Sequence, residues 1–156
     1  MMTKLSTITF LSVLFVPAIS QAAIPNYWSA ASLQGYNIYT LSNVKGQVLT
    51  LTCAEGTGAQ DSKYIDNSVS LEKNGQTIDT DITFVIDDTP YLVPSDTGTT
   101  SGDSMAWDNF FYNLKNATNF VVYASNKEVG TFTVNAKNVA KTFNYETCNS
   151  KKNWEL

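Results

Sequence analysis

Two cysteines, Cys53 and Cys148, limit what this chain can fold into more than any other feature. They lie roughly 95 residues apart, so a bond between them closes most of the chain into one loop. Whether they bond depends on the compartment, and the N-terminus speaks to that. The chain opens MMTKLSTITFLSVLFVPAISQAA. Lys4 provides a positive start, Leu5 to Val16 form an apolar run, Pro17 breaks it, and Ser20-Gln21-Ala22 supplies small residues for cleavage. This is the pattern of a secretory signal peptide over residues 1–22, cut after Ala22. The run is shorter than the ~20 residues of a membrane span. An even cysteine pair in an exported protein reads as a disulfide. Two Cys without His make a poor metal site, and neither lies in a C-x-x-C motif. The expected destination is the periplasm or the medium, with no membrane insertion after cleavage.

Residues 23–156 then form a single exported domain, long enough for one hydrophobic core. Its segments are short and separated by turn residues, as in a β-rich fold. Residues 36–42, YNIYTLS, are rich in β-formers. In 47–53, QVLTLTC, Leu49, Leu51 and Cys53 share one face, which turns Cys53 inward. Residues 54–66 read as a loop. Asn74-Gly75 joins two short strands in a hairpin. ITFVI at 82–86 is a strand, Asp87-Asp88-Thr89 turns, and 90–93 returns beside it. PSDTGTTSG at 94–102 reads as a mobile polar loop.

A helix follows over 104–117, SMAWDNFFYNLKNA, capped by Asp103 or Ser104. Trp107, Phe110, Phe111, Leu114 and Ala117 make one apolar stripe, with Tyr112 at its edge. NFVVYA at 119–124 and VGTFTV at 129–134 form a further hairpin about Ser125-Asn126-Lys127. Asn135 caps a short second helix whose Ala136, Val139, Ala140 and Phe143 share a face. The tail NSKKNWEL is polar apart from Trp154 and is expected to fray. The fold class is α+β: mainly antiparallel β with one or two short helices packed on the sheet. A β-sandwich with a short helix is the alternative architecture.

The composition removes several chemistries. All ten basic residues are Lys, against 14 acidic residues, and there is no His. No Ser-His-Asp triad or Cys-His pair can form. The guanidinium fork for phosphate or carboxylate is missing. An acidic chain with scattered Lys lacks the basic stripe that nucleic acid needs. No phosphate-cradling or EF-hand motif occurs. Asp79-Thr80-Asp81 and Asp87-Asp88 flank ITFVI, but a five-residue strand spans about 17 Å. A glycosidase needs its two carboxyls about 5 to 10 Å apart. These aspartates therefore read as turn formers, and no metal or cofactor is expected.

What remains is recognition by surface. Aromatic residues are plentiful and serve as interface anchors. The candidate contact surface is the loop before the helix and the helix start: Asp96, Thr97, Asp103, Ser104 and Asp108. The expected function is a non-enzymatic exported binding module of a bacterial envelope, such as an inhibitor or immunity protein. Its acidity suits a basic protein partner. The alternatives are a secreted or surface-displayed virulence-associated or structural protein, and a carboxylate-based glycan hydrolase.

Overall fold

A computed structural model describes residues 24–54, 67–78, 80–95, 100–143, 148 and 150. Among these residues nine strands fall into two antiparallel sheets, with two helices. The first sheet runs in chain order: β1 (Ser29–Leu33), β2 (Tyr36–Ser42), β3 (Val48–Ala54), β4 (Ser68–Lys73) and β5 (Gln76–Ile78). The second comprises β6 (Ile82–Ile86), β7 (Thr89–Leu92), β8 (Asn119–Ala124) and β9 (Lys127–Thr133), ordered β7-β6-β8-β9. Helix α1 (Ser101–Leu114) crosses from β7 to β8, and α2 (Ala136–Thr142) follows β9. The α+β architecture expected from the strand and helix patterns is the one observed.

The strands form where apolar residues alternate, because successive side chains point to opposite faces. Leu49, Leu51 and Cys53 of β3 are fully buried, while Val48, Thr50 and Thr52 are half-buried. The register sets Tyr39 opposite Leu51, and Leu41 and Leu71 opposite Leu49. In the second sheet Phe84 faces Val122, and Phe120 faces Phe132. Tight two-residue turns carry the hairpins. Asn74-Gly75, Asp87-Asp88 and Ser125-Asn126 all hold positive φ, the backbone that suits the right-handed twist of paired strands.

One core cluster draws on both sheets and both helices. Trp107, Phe110, Phe111, Leu114 and Ala117 are all buried, so the α1 stripe faces inward. Phe84 meets Phe110 at 4.7 Å and Phe120 at 5.5 Å, and Phe120 stacks on Phe132 at 5.5 Å. These rings bind the helix to the second sheet. Phe143 does the same for the first sheet, touching Trp28 at 5.2 Å, Tyr39 at 4.9 Å and Phe111 at 5.9 Å. Each such pair contributes about 0.5–1.5 kcal/mol beyond its buried area.

A polar latch also joins the sheets. Asn43 ends β2 with its amide inside a turn: its Oδ1 accepts from the Lys45 and Gln47 backbones at 3.0 Å each. Its Nδ2 donates to Gln47 Oε1 at 2.5 Å and to the Thr131 carbonyl at 3.1 Å. Gln47 Nε2 donates to the Val129 carbonyl. That carbonyl faces Gln47 because β9 is irregular there. Val122 pairs with Gly130 and Tyr123 with Glu128, so Val129 is an extra, bulged residue. Gly130 has no side chain because a Cβ would overlap the Gln47 amide.

Several sequence expectations shift. Helix α1 starts at Ser101, not Ser104, because Thr100 is the N-cap. Thr100 Oγ1 accepts from the Asp103 backbone at 3.0 Å, the N-cap bond, and donates to Asp103 Oδ2 at 2.6 Å. In α2, Ala136 and Ala140 are exposed, and Asn138 joins Val139 inside. A polar residue takes that place because it hydrogen-bonds the Trp28 backbone. Strand β1 was not signalled by hydrophobic pattern, since all five of its residues are exposed. In the tail, Ser150 is fully buried; Trp154 lies outside the described residues. So do the leader 1–22, the loop 55–66, Asp79 and the loop tip 96–99.

Gly130→Ala is expected to lower stability by about 1–3 kcal/mol, the cost of disrupting buried amide hydrogen bonds. Adding Gln47→Ala should cost less than the sum of the single changes, because the overlap is then relieved. Urea denaturation of the three variants measures this coupling.

Candidate functional site

Cys53 and Cys148 form a disulfide with a Cα separation of 4.8 Å, and both are fully buried. Strand β3 places Cys53 inward in the middle of the first sheet. Polar contacts secure the other end. The Cys148 carbonyl accepts from Trp107 Nε1 at 2.7 Å and from Asn67 Nδ2 at 3.4 Å. Asn67 Oδ1 in turn accepts from the Ala54 backbone at 2.9 Å. Ser150 donates its N–H to Asp108 Oδ1 at 2.7 Å and its hydroxyl to Asp108 Oδ2 at 2.8 Å. Cys148 and Ser150 are thereby strapped to α1 beside the disulfide.

This strap revises the candidate contact surface. Asp108 is half-buried, and both its carboxylate oxygens accept from Ser150, so it serves the fold. Ser104 is 1% exposed and faces the interior. It sits three residues before Trp107, and the expected patch did not allow for the stripe reaching that far. Asp103 is half-exposed at the helix start, bonded to the Thr100 cap. Asp96 and Thr97 lie outside the described residues. Of the three that are described, only Asp103 is left with its carboxylate at the helix start and turned to neither the interior nor the strap. The large hydrophobic side chains that α1 exposes are Met105, 68% exposed, and Tyr112, 62% exposed. They stand seven residues apart, on one flank of the helix. Leu92 of the neighbouring β7 is also exposed.

Acidic groups project elsewhere. Asp81 precedes β6 and Asp87-Asp88 form the turn after it, all exposed. They sit at opposite ends of the strand, and the turn-forming role read for Asp87-Asp88 is the observed one. Among the described residues no three of His, Cys, Asp and Glu gather as a metal site. The Ser-x-x-Lys spacing, which can pair a nucleophile with a base, occurs at Ser42–Lys45 and Ser70–Lys73. Neither makes a site. The Ser42 hydroxyl is buried without a hydrogen-bond partner, while Lys45 is exposed on a turn. Ser70 and Lys73 are three apart on β4, which sends them to opposite faces.

Sequence reading missed a second polar anchor. Asn138 Oδ1 accepts the Trp28 N–H at 2.6 Å, and its Nδ2 donates to the Trp28 carbonyl at 3.0 Å. The carboxamide thus pairs with both peptide groups of one residue, as a neighbouring strand would. The only local signal was an Asn where the α2 apolar face should continue.

These features define a small, β-rich domain tied by one buried disulfide, with two antiparallel sheets and two helices sharing a core. Such a disulfide belongs to a non-reducing compartment, and no described helix is long and apolar enough to cross a membrane. The chain belongs to the YfjT family, whose sequence model matches residues 26–143. It is 33% identical to uncharacterized protein YkfB of Escherichia coli (strain K12) over 148 residues, covering 90% of this chain and 93% of that one. It is 28% identical to uncharacterized protein YfjT of the same strain over 143 residues, covering 88% and 90%. No solved structure matches the chain.

Removing the disulfide with Cys53→Ser/Cys148→Ser should cost about 2–5 kcal/mol. Asp108→Ala should cost about 1–3 kcal/mol, because the buried Ser150 groups lose a charged acceptor. Denaturation of the oxidised protein and both variants checks each value.

Proposed function

We propose that this protein is a non-enzymatic exported binding module of a bacterial envelope, and that its partner is a protein of basic character. The observation that carries the reading is the disposition of charge. The chain has a net charge of −4; exposed Lys73 and Lys127 adjoin Glu72 and Glu128, but Asp81, Asp87 and Asp88 are exposed at the two ends of β6 with no Lys beside them in sequence. Exposed like charges of this kind steer a complementary partner more than they bind it. The disulfide supports an envelope location, as does the leader pattern of residues 1–22. The Escherichia coli relatives support a bacterial one. An inhibitor or immunity protein acting on a basic lytic enzyme is the specific case that fits these features.

Two measurements test the reading. Mass spectrometry of protein recovered from a periplasmic fraction should give an N-terminus at Ala23; an uncleaved chain in the cytoplasm would count against export. Immobilised oxidised protein should retain a basic envelope protein at low ionic strength and release it as salt rises, because exposed charges are screened within a Debye length. The pair Asp87→Lys/Asp88→Lys should slow association at least several-fold. An envelope extract that yields no protein bound in a charge-dependent way defeats the proposal.

A further inference from the structure

We propose that the outer edge of β1 is an interface between two copies of this chain, paired antiparallel about a two-fold axis at Ala31. This is independent of the basic partner proposed above. Four strands end the two sheets, β1 and β5 in one, β7 and β9 in the other. Natural edges are blunted by shortness, proline, charge or a bulge. Strand β5 has only three residues. Strand β7 carries Pro90, which has no N–H, and lies against α1. Strand β9 begins with Lys127-Glu128 and bulges at Val129. Strand β1, SAASL, has none of these devices over its five residues.

The hairpin geometry says which peptide groups point outward. Gln34 and Gly35, at φ 51° and 83°, make a two-residue turn, with Leu33 paired to Tyr36. In such a hairpin the residues flanking the turn exchange both hydrogen bonds, and the pattern alternates from there. Leu33, Ala31 and Ser29 therefore bond β2, while Ser32, Ala30 and Trp28 face away from it. Trp28 is already served, because the Asn138 amide takes both of its peptide groups. Beyond Asn138 the edge is open at Ala30 and Ser32 among the described residues.

A second copy fits that opening. Antiparallel pairing centred on Ala31 sets Ala30 of each chain against Ser32 of the other as hydrogen-bonded pairs, four bonds in all. Ala31 meets its own copy in the close, non-bonded position. Charge is compatible with this edge. Each chain is net negative, so two copies repel, and β1 with its turn has no charged residue to add to that repulsion. Its side chains are small from Ser29 to Ser32, Leu33 at the turn end is exposed, and neither face is covered by the core. A five-residue ladder is far below the ~1,600 Å² of a standard interface, so the association is weak and the dimer is populated only at raised concentration.

The test uses the oxidised protein in sedimentation velocity across a concentration series, alongside Ala31→Cys crosslinking. The native chain should shift from monomer to dimer. Ala31→Lys, which opposes two charges on the axis, and Ser32→Pro, which removes an outward N–H, should each abolish the shift. Both positions are exposed, and circular dichroism identifies any variant that unfolds. Under mild oxidation Ala31→Cys should form covalent dimer roughly tenfold or more faster than the exposed control Val44→Cys, since held thiols react at raised effective concentration. A chain that stays monomeric at the highest concentration overturns the proposal. So does a dimer untouched by both variants, or equal crosslinking of the two cysteines. A strand from another protein binding β1 while this chain stays monomeric also overturns it.

Discussion

The Cys53–Cys148 bond fixes where the rest of the chain must go. Cys53 lies in β3, in the middle of the first sheet, and Cys148 lies beyond α2. Closing a loop of roughly 95 residues removes about 4 to 5 kcal/mol of unfolded-state entropy in the chain-entropy model. The bond also brings a carbonyl, at Cys148, to the indole of Trp107 and the amide of Asn67. A covalent link from the first sheet thus becomes a polar anchor for α1, whose aromatic stripe in turn packs on the second sheet. Both sheets and α1 are coupled through this one place.

Buried carboxamides perform the other long-range joins. Asn43, Gln47, Asn67 and Asn138 are each 5% exposed or less. Each sits where a backbone group would otherwise be buried without a partner, a condition that costs about 1–3 kcal/mol. A carboxamide offers both a donor and an acceptor without charge, so it substitutes for a missing strand or turn. Asn138 does this at the sheet edge, Asn43 and Gln47 between the sheets, and Asn67 between β3 and the C-terminal strap. In a chain with no Arg and no His, uncharged amides carry the interior polar work. The acidic residues Asp81, Asp87, Asp88 and Glu128 stay on the surface.

Local elements were legible because their signals are local. Strands β2, β3 and β6 follow from β-rich or alternating segments, the hairpins from Asn74-Gly75 and Asp87-Asp88, and α1 from a stripe of 3.6-residue period. The misreadings came where a contact distant in sequence decided the outcome. Asp108 looks like a solvent-facing helix residue until Ser150 arrives across 42 positions. Asn138 interrupts an apolar face because Trp28, 110 positions away, needs its amide. Strand β1 has no hydrophobic pattern to detect, since neither of its faces is buried.

The sequence by itself determined the disulfide pair, the mixed but mainly antiparallel class, the inward stripe of α1 and the chemistries that a chain without His or Arg cannot run. These follow from residue type and from periods of two and 3.6, which any segment carries with it. Only the tertiary structure decided the order of strands in two sheets, the latch of Gln47 on Val129, and which carboxylates are spent on the fold. It also decided which sheet edge is left open. Those outcomes depend on backbone groups finding partners far along the chain, and hydrogen-bond geometry is met only when the whole core has closed.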